Sequence, residues 1–381
     1  MIEPTADFIL IGASTRAAAF SALRSGLRPD CLDLFADSDL AKYAHVERVD
    51  HYPHDLIKRL KDRPQLPVVY VGGLENYPEM LDEISESHTL WGNDSSVVRR
   101  ARDPKELAEA VRLAQVKLPE WRPSSDPPER NGEWILKPTR RSGGSGIISW
   151  TDDAQNSETL NEEHRFERFI SGKSYSGIYI AGASTGDVRF VGLTHQLHGE
   201  PAANAHDFQW CGNIGPVTLS VELEHKMRRV GNLLKWKLGI VGIFGIDFIV
   251  TDDEDVYVLE VNPRYPASLD LLEFATCQGL FGLHVKCFDN SVETADWTFQ
   301  SENEYFGKMV VYAPREMSSN GELDGQVCDF NDYPEFGDIP RAGVKFLAGE
   351  PFCTVYAKGG SLESCRDELN ARVAELNRRL A

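Results

Sequence analysis

The chain has 381 residues, enough for two or three domains, and its 41% hydrophobic and 26% charged residues are typical of globular proteins. Its 40 Lys and Arg against 59 Asp and Glu give a net charge of −19, which disfavours binding to nucleic acids and to anionic membrane surfaces. No apolar run approaches the roughly 20 residues that a membrane span requires, and the N-terminus does not resemble a signal peptide. Seven scattered cysteines without a C-x-x-C pair disfavour a disulfide framework or a zinc ribbon, so a cytoplasmic protein is expected.

The first predicted elements alternate between strands and helices. Residues 7–11 form a short apolar strand, Gly12 begins a turn, and the alanine-rich residues 17–23 are typical of a helix. Further strands are expected at residues 31–35 and 67–71. This alternation predicts a parallel sheet covered by helices on both faces. Gly12 lacks the G-x-G-x-x-G spacing of a dinucleotide site, so nicotinamide or flavin binding is disfavoured.

Two helical segments are expected later in the chain. Residues 95–116 form a predicted helical block, and residues 362–380 form an amphipathic helix with Glu and Arg at helical spacing. The proline-rich residues 119–128 and the polar residues 151–163 are interpreted as loops.

A glycine-rich hairpin lies between two apolar strands in residues 134–149. The first strand carries Lys137, and the turn contains Gly143, Gly144, Ser145 and Gly146. Glycines let backbone N–H groups approach anionic oxygens, and Lys137 adds a positive charge. The order differs from that of a P-loop, and a plain surface hairpin would also explain this segment taken alone.

A second segment, residues 166–176, consists of a short strand, a polar bend at Gly172 and the start of an alternating strand. Extended backbone at such a crossover can offer an N–H and a C=O to the edge of a purine. Taken alone, this segment also fits an ordinary structural crossover.

The most specific pattern is a hairpin with acidic residues on both strands. If the hairpin is symmetric about Asp253 and Glu254, Val250 pairs with Tyr257 and Asp247 pairs with Glu260. Strand alternation then places Glu260 and Asn262 on one face, with Asp247 directly across. Two opposed carboxylates destabilise a strand pair unless a cation lies between them. The hairpin therefore predicts a Mg²⁺ site shared with nucleotide phosphates.

Together these three segments resemble the ATP-grasp superfamily, in family order, over roughly residues 95–290. The N-terminal unit resembles the domain that precedes ATP-grasp modules in biotin carboxylase and its relatives, and the tail resembles the small β-rich domain of that branch. The resemblance implies an α/β and α+β protein with a Rossmann-like pre-ATP-grasp domain at 1–94. It further implies an ATP-grasp domain at 95–290, with lobes at 95–170 and 171–290, and a small C-terminal domain at 291–381.

The resemblance also implies roles for single residues. Lys137 would contact ATP phosphates beneath the loop of Gly143, Gly144, Ser145 and Gly146. Glu167, with the backbone of Phe169 and Ile170, would border the adenine, and Ser174 occupies the position of a ribose-binding acid. Asp247, Glu260 and Asn262 would hold Mg²⁺, for which Mn²⁺ could substitute, and Arg264 would face the reacting phosphate and carboxylate. A second ATP-binding cation is expected near Arg102 or Lys105, with the choice open. His195, Gln196, Trp210 and Asn213 are expected to edge the acceptor pocket.

The function that follows is an ATP- and Mg²⁺-dependent ligase that joins a carboxylate to an amine through an acyl phosphate. Its partners would be small-molecule acids and amines, with no nucleic acid or membrane, and a homodimer is compatible with the family. A place in the biosynthesis of one-carbon carrier cofactors of the methanofuran or methanopterin type is one hypothesis. The alternatives are a purine-pathway carboxylating ligase and a non-catalytic nucleotide-binding regulator.

Overall fold

The structure, a computed structural model, describes residues 6–152, 160–183, 188–288 and 304–380. Its N-terminal part is a four-stranded parallel sheet with strand order β3-β2-β1-β4. These elements are β1 (Phe8–Gly12), α1 (Arg16–Arg24), β2 (Pro29–Asp33), α2 (Ser38–Ala41), β3 (His45–Arg48), α3 (Leu56–Lys61), β4 (Val68–Tyr70) and α4 (Pro78–Ser87). Strand β1 is buried on both faces, with Phe8 and Leu10 in one core and Ile9 and Ile11 in another. The predicted parallel unit is therefore present, and β3 is a strand that the sequence pattern did not indicate.

The predicted helical block at residues 95–116 is two helices, α5 (Ser95–Ala101) and α6 (Pro104–Leu113). The interruption has a local cause: the Asp103 side chain accepts a hydrogen bond from the Lys105 backbone N–H, and Pro104 occupies the first turn of α6. Asp at an N-cap followed by Pro is a strong helix start, so the chain ends one helix and begins another.

The glycine hairpin belongs to a small antiparallel sheet with strand order β5-β8-β6-β7. Its strands are β5 (Trp121–Pro123), β6 (Asn131–Pro138), β7 (Ile148–Thr151) and β8 (His164–Arg168). Its own core contains Trp134, Leu136, Trp150 and Phe166. The interpretation of residues 151–163 as a loop falls partly outside the described residues.

An eight-stranded antiparallel sheet forms the rest of the framework, in the order β13-β12-β9-β10-β11-β14-β18-β16. The elements of this part are β9 (Lys173–Ala181), β10 (Val188–His198), β11 (Trp210–Val217), α7 (Val221–Leu238), β12 (Gly242–Val250), β13 (Val256–Asn262), α8 (Leu269–Thr276), α9 (Phe281–Phe288), β14 (Tyr305–Tyr312), β15 (Met317–Ser318), β16 (Phe336–Gly337), β17 (Lys345–Phe346), β18 (Pro351–Gly359) and α10 (Leu362–Leu380). Because β14, β18 and β16 continue the sheet that carries the acidic hairpin, the C-terminal residues lie beside the same cavity.

The last helix, α10, has the bounds that the sequence predicts. It packs against β18 and β14 through Cys365, Leu369, Val373 and Leu376, which recur at helical spacing and are buried. Its opposite face carries Glu–Arg pairs such as Glu368 with Arg372.

Several broad predictions can be compared with this framework. The α/β and α+β class is confirmed, whereas the domain limits stay predictions, and the predicted boundary after residue 290 lies outside the described residues. All seven cysteines are free. Within the described ranges, no helix combines the length and the apolar character that crossing a bilayer requires.

Candidate active site

A cavity of about 750 Å³ lies where the three large sheets meet. All but one of the predicted site residues line it. They are Lys137, Gly143, Gly144, Ser145, Glu167, Phe169, Ile170, Ser174, Asp247, Glu260, Asn262 and Arg264. The exception is Gly146, whose position lies beside Pro138 and Arg141 at the base of the hairpin. Of the four residues expected at the acceptor pocket, Gln196, Trp210 and Asn213 line the cavity and His195 does not.

In the acidic hairpin, Asp247 lies opposite Glu260, as predicted. The residues near the turn, however, pair in a different register. The predicted pairing of Val250 with Tyr257 is wrong: Val250 pairs with Val256, and Ile249 pairs with Tyr257. A β-bulge at Leu259 adds one residue to β13, and beyond it Asp247 pairs with Glu260 and Gly245 with Asn262. An extra residue on one strand shifts all later pairs by one, so the bulge restores the opposition of the two carboxylates. We call Asp247 and Glu260 the acid pair.

Asp247 is held by amide groups on β10 and on β13. The Gln196 side chain donates to Asp247 Oδ1 at 2.9 Å, and Asn262 Nδ2 donates to Asp247 Oδ2 at 2.9 Å. Burial, followed by the negative charge of Glu260, raises the pKa of Asp247 to about 6. The pair is thus an electrostatically unfavourable arrangement that a cation would relieve.

The donor set fits Mg²⁺ as this ion is usually bound. Among the described residues, no group of three or more His, Cys, Asp and Glu side chains could hold a metal by itself. The protein would instead supply two carboxylates and the Asn262 amide oxygen, and water and phosphate oxygens would complete the shell. Sharing the ion with substrate phosphates is the common mode for Mg²⁺ in nucleotide sites.

Arg264 is anchored by an acid that the sequence reasoning missed. Its guanidinium donates to Glu75 Oε1 at 2.9 Å and to Asn262 Oδ1 at 3.1 Å, and Glu75 is only 1% exposed. Burial alone would raise the pKa of Glu75, but the positive charges of Arg264 and Arg102 outweigh it and hold that pKa below its ordinary value. Glu75 follows the glycine pair that ends the third predicted strand. An acid at the carboxyl end of a parallel strand was the available signal.

The glycine loop contacts two other parts of the protein. Ser142 donates to Glu75 Oε1 at 3.3 Å, and the Trp210 backbone N–H donates to the Gly143 carbonyl at 2.9 Å. Gly144 has φ of +72°, and a Cβ there would lie 2.0 Å from the Phe208 carbonyl oxygen. Only glycine tolerates both this conformation and this approach, so the loop packs closely against Phe208 at the wall of the cavity.

Lys137 and Glu167 form an ion pair in the floor of the site. Lys137 Nζ lies 3.5 Å from Glu167 Oε2, and Arg165 Nε donates to Glu167 Oε1 at 2.6 Å. Burial would raise the pKa of Glu167, but Lys137 and Arg165 reverse the direction and lower it. Glu167 therefore holds Lys137 in place, a role that the sequence pattern did not suggest.

The choice left open between Arg102 and Lys105 is informed by their surroundings. Arg102 lines a small cavity that adjoins the main one and is shared with Lys137, Glu167 and Glu260. The Lys105 ammonium instead lies 5.8 Å from the centre of the Trp121 ring. The position of Arg102 favours it as the second cation near a nucleotide.

A second acidic region occupies the part of the cavity between the N-terminal sheet and the C-terminal strands. Asp37 follows β2, and Asp338 follows β16, where it accepts hydrogen bonds from Ser14 and Thr354. Both carboxylates line the cavity, as do three aromatic side chains of the same region. These are Phe35, Phe346 and Phe352. We call Asp37, Asp338 and these three rings the acidic chamber.

Comparison with known protein families shows what a part of the chain that lines this cavity is similar to. Residues 101–268 match the ATP-grasp domain family. Over these residues the chain is similar to an ATP-grasp domain. The carbamoyl phosphate synthase large chain of Vibrio cholerae is 28% identical over 193 residues, which are 47% of this chain and 17% of that protein. The match thus spans about a sixth of the length of that relative.

Solved ATP-grasp structures have the same architecture over almost the whole chain. An ADP complex of N5-carboxyaminoimidazole ribonucleotide synthetase superposes with a TM-score of 0.70 at 17% identity, covering 98% of both chains. The L-amino acid ligase of Bacillus licheniformis gives 0.69 at 14% identity, covering 97% of both. The biotin carboxylase domain of the Hydrogenobacter thermophilus 2-oxoglutarate carboxylase gives 0.68 at 13% identity, covering 97% of this chain and 90% of that one. The predicted ATP-grasp fold is confirmed, and the roles of single residues toward ATP stay predictions.

Proposed function

We propose that this protein is an ATP- and Mg²⁺-dependent ligase that joins a carboxylate to an amine through an acyl phosphate. The observation that carries the proposal is the half-buried acid pair, which lines the same cavity as Lys137, Arg264 and the glycine loop. Isolated, this pair costs stability, so its presence is best explained by a bound cation.

The chain's own cations address the main electrostatic barrier. A carboxylate that attacks the γ-phosphate brings two anions together, and Lys137 and Arg264 reduce their repulsion. Bound at Asp247, Glu260 and Asn262, Mg²⁺ would supply further positive charge to the phosphate oxygens, and Mn²⁺ is proposed as a substitute. Glu75 and Asn262 hold the Arg264 guanidinium in a fixed orientation, so little reorganisation is needed during reaction.

The second half-reaction forms the product bond. The amine nitrogen attacks the acyl carbon, the C–N bond forms, and the C–O bond to phosphate breaks. Inorganic phosphate leaves. A neutral primary amine loses one proton to the solvent or to the released phosphate, and an amine bound as its ammonium ion loses one further proton before it can attack. The glycine loop, fixed to Trp210 and to Glu75 through Ser142, lies at the wall of the cavity and would limit hydrolysis of the acyl phosphate.

The purine-pathway carboxylating ligase is retained as the second candidate because a synthetase of that pathway superposes over 98% of both chains. The acidic chamber speaks against it, since a ribonucleotide phosphate would be repelled by Asp37 and Asp338. A part in one-carbon carrier biosynthesis, a cytoplasmic location and a homodimer also stay predictions. The non-catalytic regulator is disfavoured because the cavity contains the acid pair, which could bind a catalytic Mg²⁺, in addition to Lys137 and the glycine loop, which would bind the nucleotide.

Two measurements test the ligase proposal separately for each half-reaction. Positional isotope exchange in ATP labelled at the β,γ-bridge should require Mg²⁺ and a carboxylate from a panel of small acids, with no amine. Net ADP release should then require an amine from a matched panel. Glu260→Gln should abolish both, whereas Asp253→Asn, an equal charge change in the exposed hairpin turn, should alter neither. ATP binding without exchange or ADP release on any acid would contradict the proposal and favour the regulator.

A further inference from the structure

Asp37 is a buried carboxylate that lacks a protein partner on one oxygen. The residue is 5% exposed, and its Oδ2 has no hydrogen-bond partner within the described part of the chain. Asp37 occupies the N-cap position of α2, but its side chain makes no capping bond. A buried ionisable group left without a partner costs stability, so such groups are uncommon unless a ligand satisfies them.

The neighbouring acids differ from Asp37 because each has protein partners. Asp33 accepts from the Phe35 backbone N–H at 2.6 Å and from the Ala36 backbone N–H at 2.8 Å. Asp39 forms a buried ion pair with Arg16. Asp338 accepts from the hydroxyls of Ser14 and Thr354. Among these four carboxylates, Asp37 is therefore the one with a buried oxygen that lacks a hydrogen-bond donor in the described part of the chain.

Three positive side chains near the chamber are paired with other acids. Arg16 is bound to Asp39, and Lys308 Nζ lies 2.8 Å from Asp270 Oδ1. Arg48, at the cavity wall, lies 3.4 Å from Asp50. The chamber thus keeps an excess of negative charge, and burial together with the charge of Asp338 raises the pKa of Asp37 well above its ordinary value.

The surrounding wall is apolar. Phe352 lies two residues before Thr354, whose hydroxyl contacts Asp338, and its ring packs against Phe346 with centroids 5.1 Å apart. Phe35 lies two residues before Asp37 and also faces the cavity. A ligand held by Asp37 and Asp338 would therefore place its remaining atoms against aromatic surface.

We propose that Asp37 and Asp338 form the acceptor subsite and that the acceptor is a primary amine, bound as its ammonium ion, carried on an apolar body. The ammonium group can donate to the free oxygen of Asp37 and to Asp338 at the same time, and charge-assisted bonds of this kind are strong in a buried setting. The proposal rests on the proposed ligase function for its biological meaning, but binding of the amine can be measured without turnover.

The binding test uses the full-length protein without nucleotide. Phenethylamine and its neutral analogue 2-phenylethanol are titrated by calorimetry into the wild type and into Asp37→Asn, Asp338→Asn and Asp62→Asn. The last variant removes one charge from an exposed site in the N-terminal part. We expect phenethylamine to bind the wild type and Asp62→Asn with the same affinity. Its affinity for Asp37→Asn should be lower by a factor of at least about 10. 2-Phenylethanol should bind the wild type more weakly than the amine and should not distinguish the variants.

Three results would overturn the subsite: no detectable binding of phenethylamine, equal binding of the alcohol and the amine, or equal binding of the amine to wild type and Asp37→Asn. A melting temperature of Asp37→Asn at or above that of the wild type excludes misfolding as the cause of weaker binding. Asp338→Asn provides a second variant if Asp37→Asn does not fold.

The outcomes also separate the subsite from the ligase proposal. If the amine binds through Asp37 but no acid supports isotope exchange, the ligase proposal fails and the subsite stands. If turnover occurs while Asp37→Asn leaves the KM for the amine unchanged, the ligase stands and the subsite is wrong.

Discussion

The cavity contains two acidic regions, and they differ in how the protein treats its carboxylates. In the acid pair, Asp247 accepts from the amides of Gln196 and Asn262, and Asn262 in turn accepts from Arg264. In the acidic chamber, Asp37 Oδ2 has no partner in the described ranges, and the nearby cations are bound to other acids. Fixed amide dipoles around a carboxylate pair suit a small hard cation that needs defined geometry. A single free carboxylate beside aromatic rings suits an organic cation.

The contrast also concerns how each region is assembled. The acid pair comes from one hairpin, in which neighbouring residues fix the geometry. The chamber needs the end of β2 and the strands near the C-terminus to meet, as the hydrogen bond from the Ser38 backbone N–H to the Ile339 carbonyl at 2.8 Å shows. Disturbing one region should therefore leave the other intact.

The largest expected effect is the loss of turnover in Asp247→Asn. Removing one of the two charges that hold Mg²⁺ should reduce acid- and amine-dependent ADP release by about 1,000-fold, because the phosphate charge is no longer neutralised. Asp253→Asn serves as the matched control. Phenethylamine binding to the chamber should be unchanged, and near-normal ADP release by Asp247→Asn would show that the acid pair is not the metal site.

The next effect is a loss of stability in Glu75→Gln. Arg264 would keep a buried charge without its counter-charge, and we expect the free energy of unfolding to fall by about 3 kcal/mol at pH 7. Because the folded pKa of Glu75 is lowered, its contribution is present above the unfolded value of 4.5 and is lost as the pH falls below it. Urea denaturation at pH 7 and pH 3.5 should show a difference between wild type and variant that shrinks at the lower pH. A constant difference would contradict the ion pair as its source.

The pH dependence of Asp247 should have the opposite sign. Its folded pKa of about 6 lies above the model-peptide value of 3.8, so the stability that it contributes is full below pH 4 and is lost as the pH rises through 6. In the nucleotide-free wild type, the free energy of unfolding should fall by about 3 kcal/mol between pH 4 and pH 7. Asp247→Asn does not have this loss, but it lacks one hydrogen-bond acceptor, which costs the variant about 1 kcal/mol. The advantage of the variant at pH 7 is reduced by that amount. Denaturation of both proteins at pH 4 and pH 7 measures it. Parallel pH profiles would indicate that Asp247 is not destabilised by Glu260 and burial.

A smaller effect on stability and on ATP binding is expected when a Cβ atom is added to the glycine loop. Gly143 and Gly144 both have positive φ, of +65° and +72°, but a Cβ at Gly143 meets no atom within 4 Å, whereas one at Gly144 collides with Phe208. Ala at either position carries the same backbone cost of about 1 kcal/mol, and Gly144→Ala should cost about 1 to 2 kcal/mol more. The KM for ATP should rise in Gly144→Ala relative to Gly143→Ala. Equal KM values would show that contact with Phe208 is not needed for nucleotide binding.

The smallest expected effect concerns the stability of a variant in the acidic chamber. Asp37→Asn should raise the free energy of unfolding at pH 7 by about 1 kcal/mol, because a buried charge without a partner is removed. The gain should disappear at low pH, since a raised folded pKa means that the stability of the wild type is full there and is lost as the pH rises. Thermal denaturation at the two pH values measures it, and a destabilised variant would mean that Asp37 has a structural partner.

Much of the part of the cavity that is lined by Lys137, the glycine loop and the acid pair was predictable, because its motifs are local. The hairpin of β12 and β13 brings Asp247 opposite Glu260 by means of the bulge at Leu259, and the spacing of glycines after Lys137 predicts a tight hairpin. Even there, the bulge at Leu259 escaped prediction, because an insertion of one residue leaves the hydrophobic pattern nearly unchanged. The division at Asp103 between α5 and α6 was readable from the Asp-Pro capping signal but was overlooked.

The sequence by itself determined the ATP-grasp motifs, their order and the opposed acids, because each depends on residues within one strand pair or one turn. Only the tertiary structure decided that Glu75 binds Arg264, that Glu167 holds Lys137, and that Asp37 stands near Asp338 without a counter-charge. Local periodicity reports which face of an element is buried, but not which distant element covers it. The distant element that packs on a face decides which charges lie next to each other. Burial and neighbouring charge then decide whether a carboxylate is paired within the protein or is left without a partner.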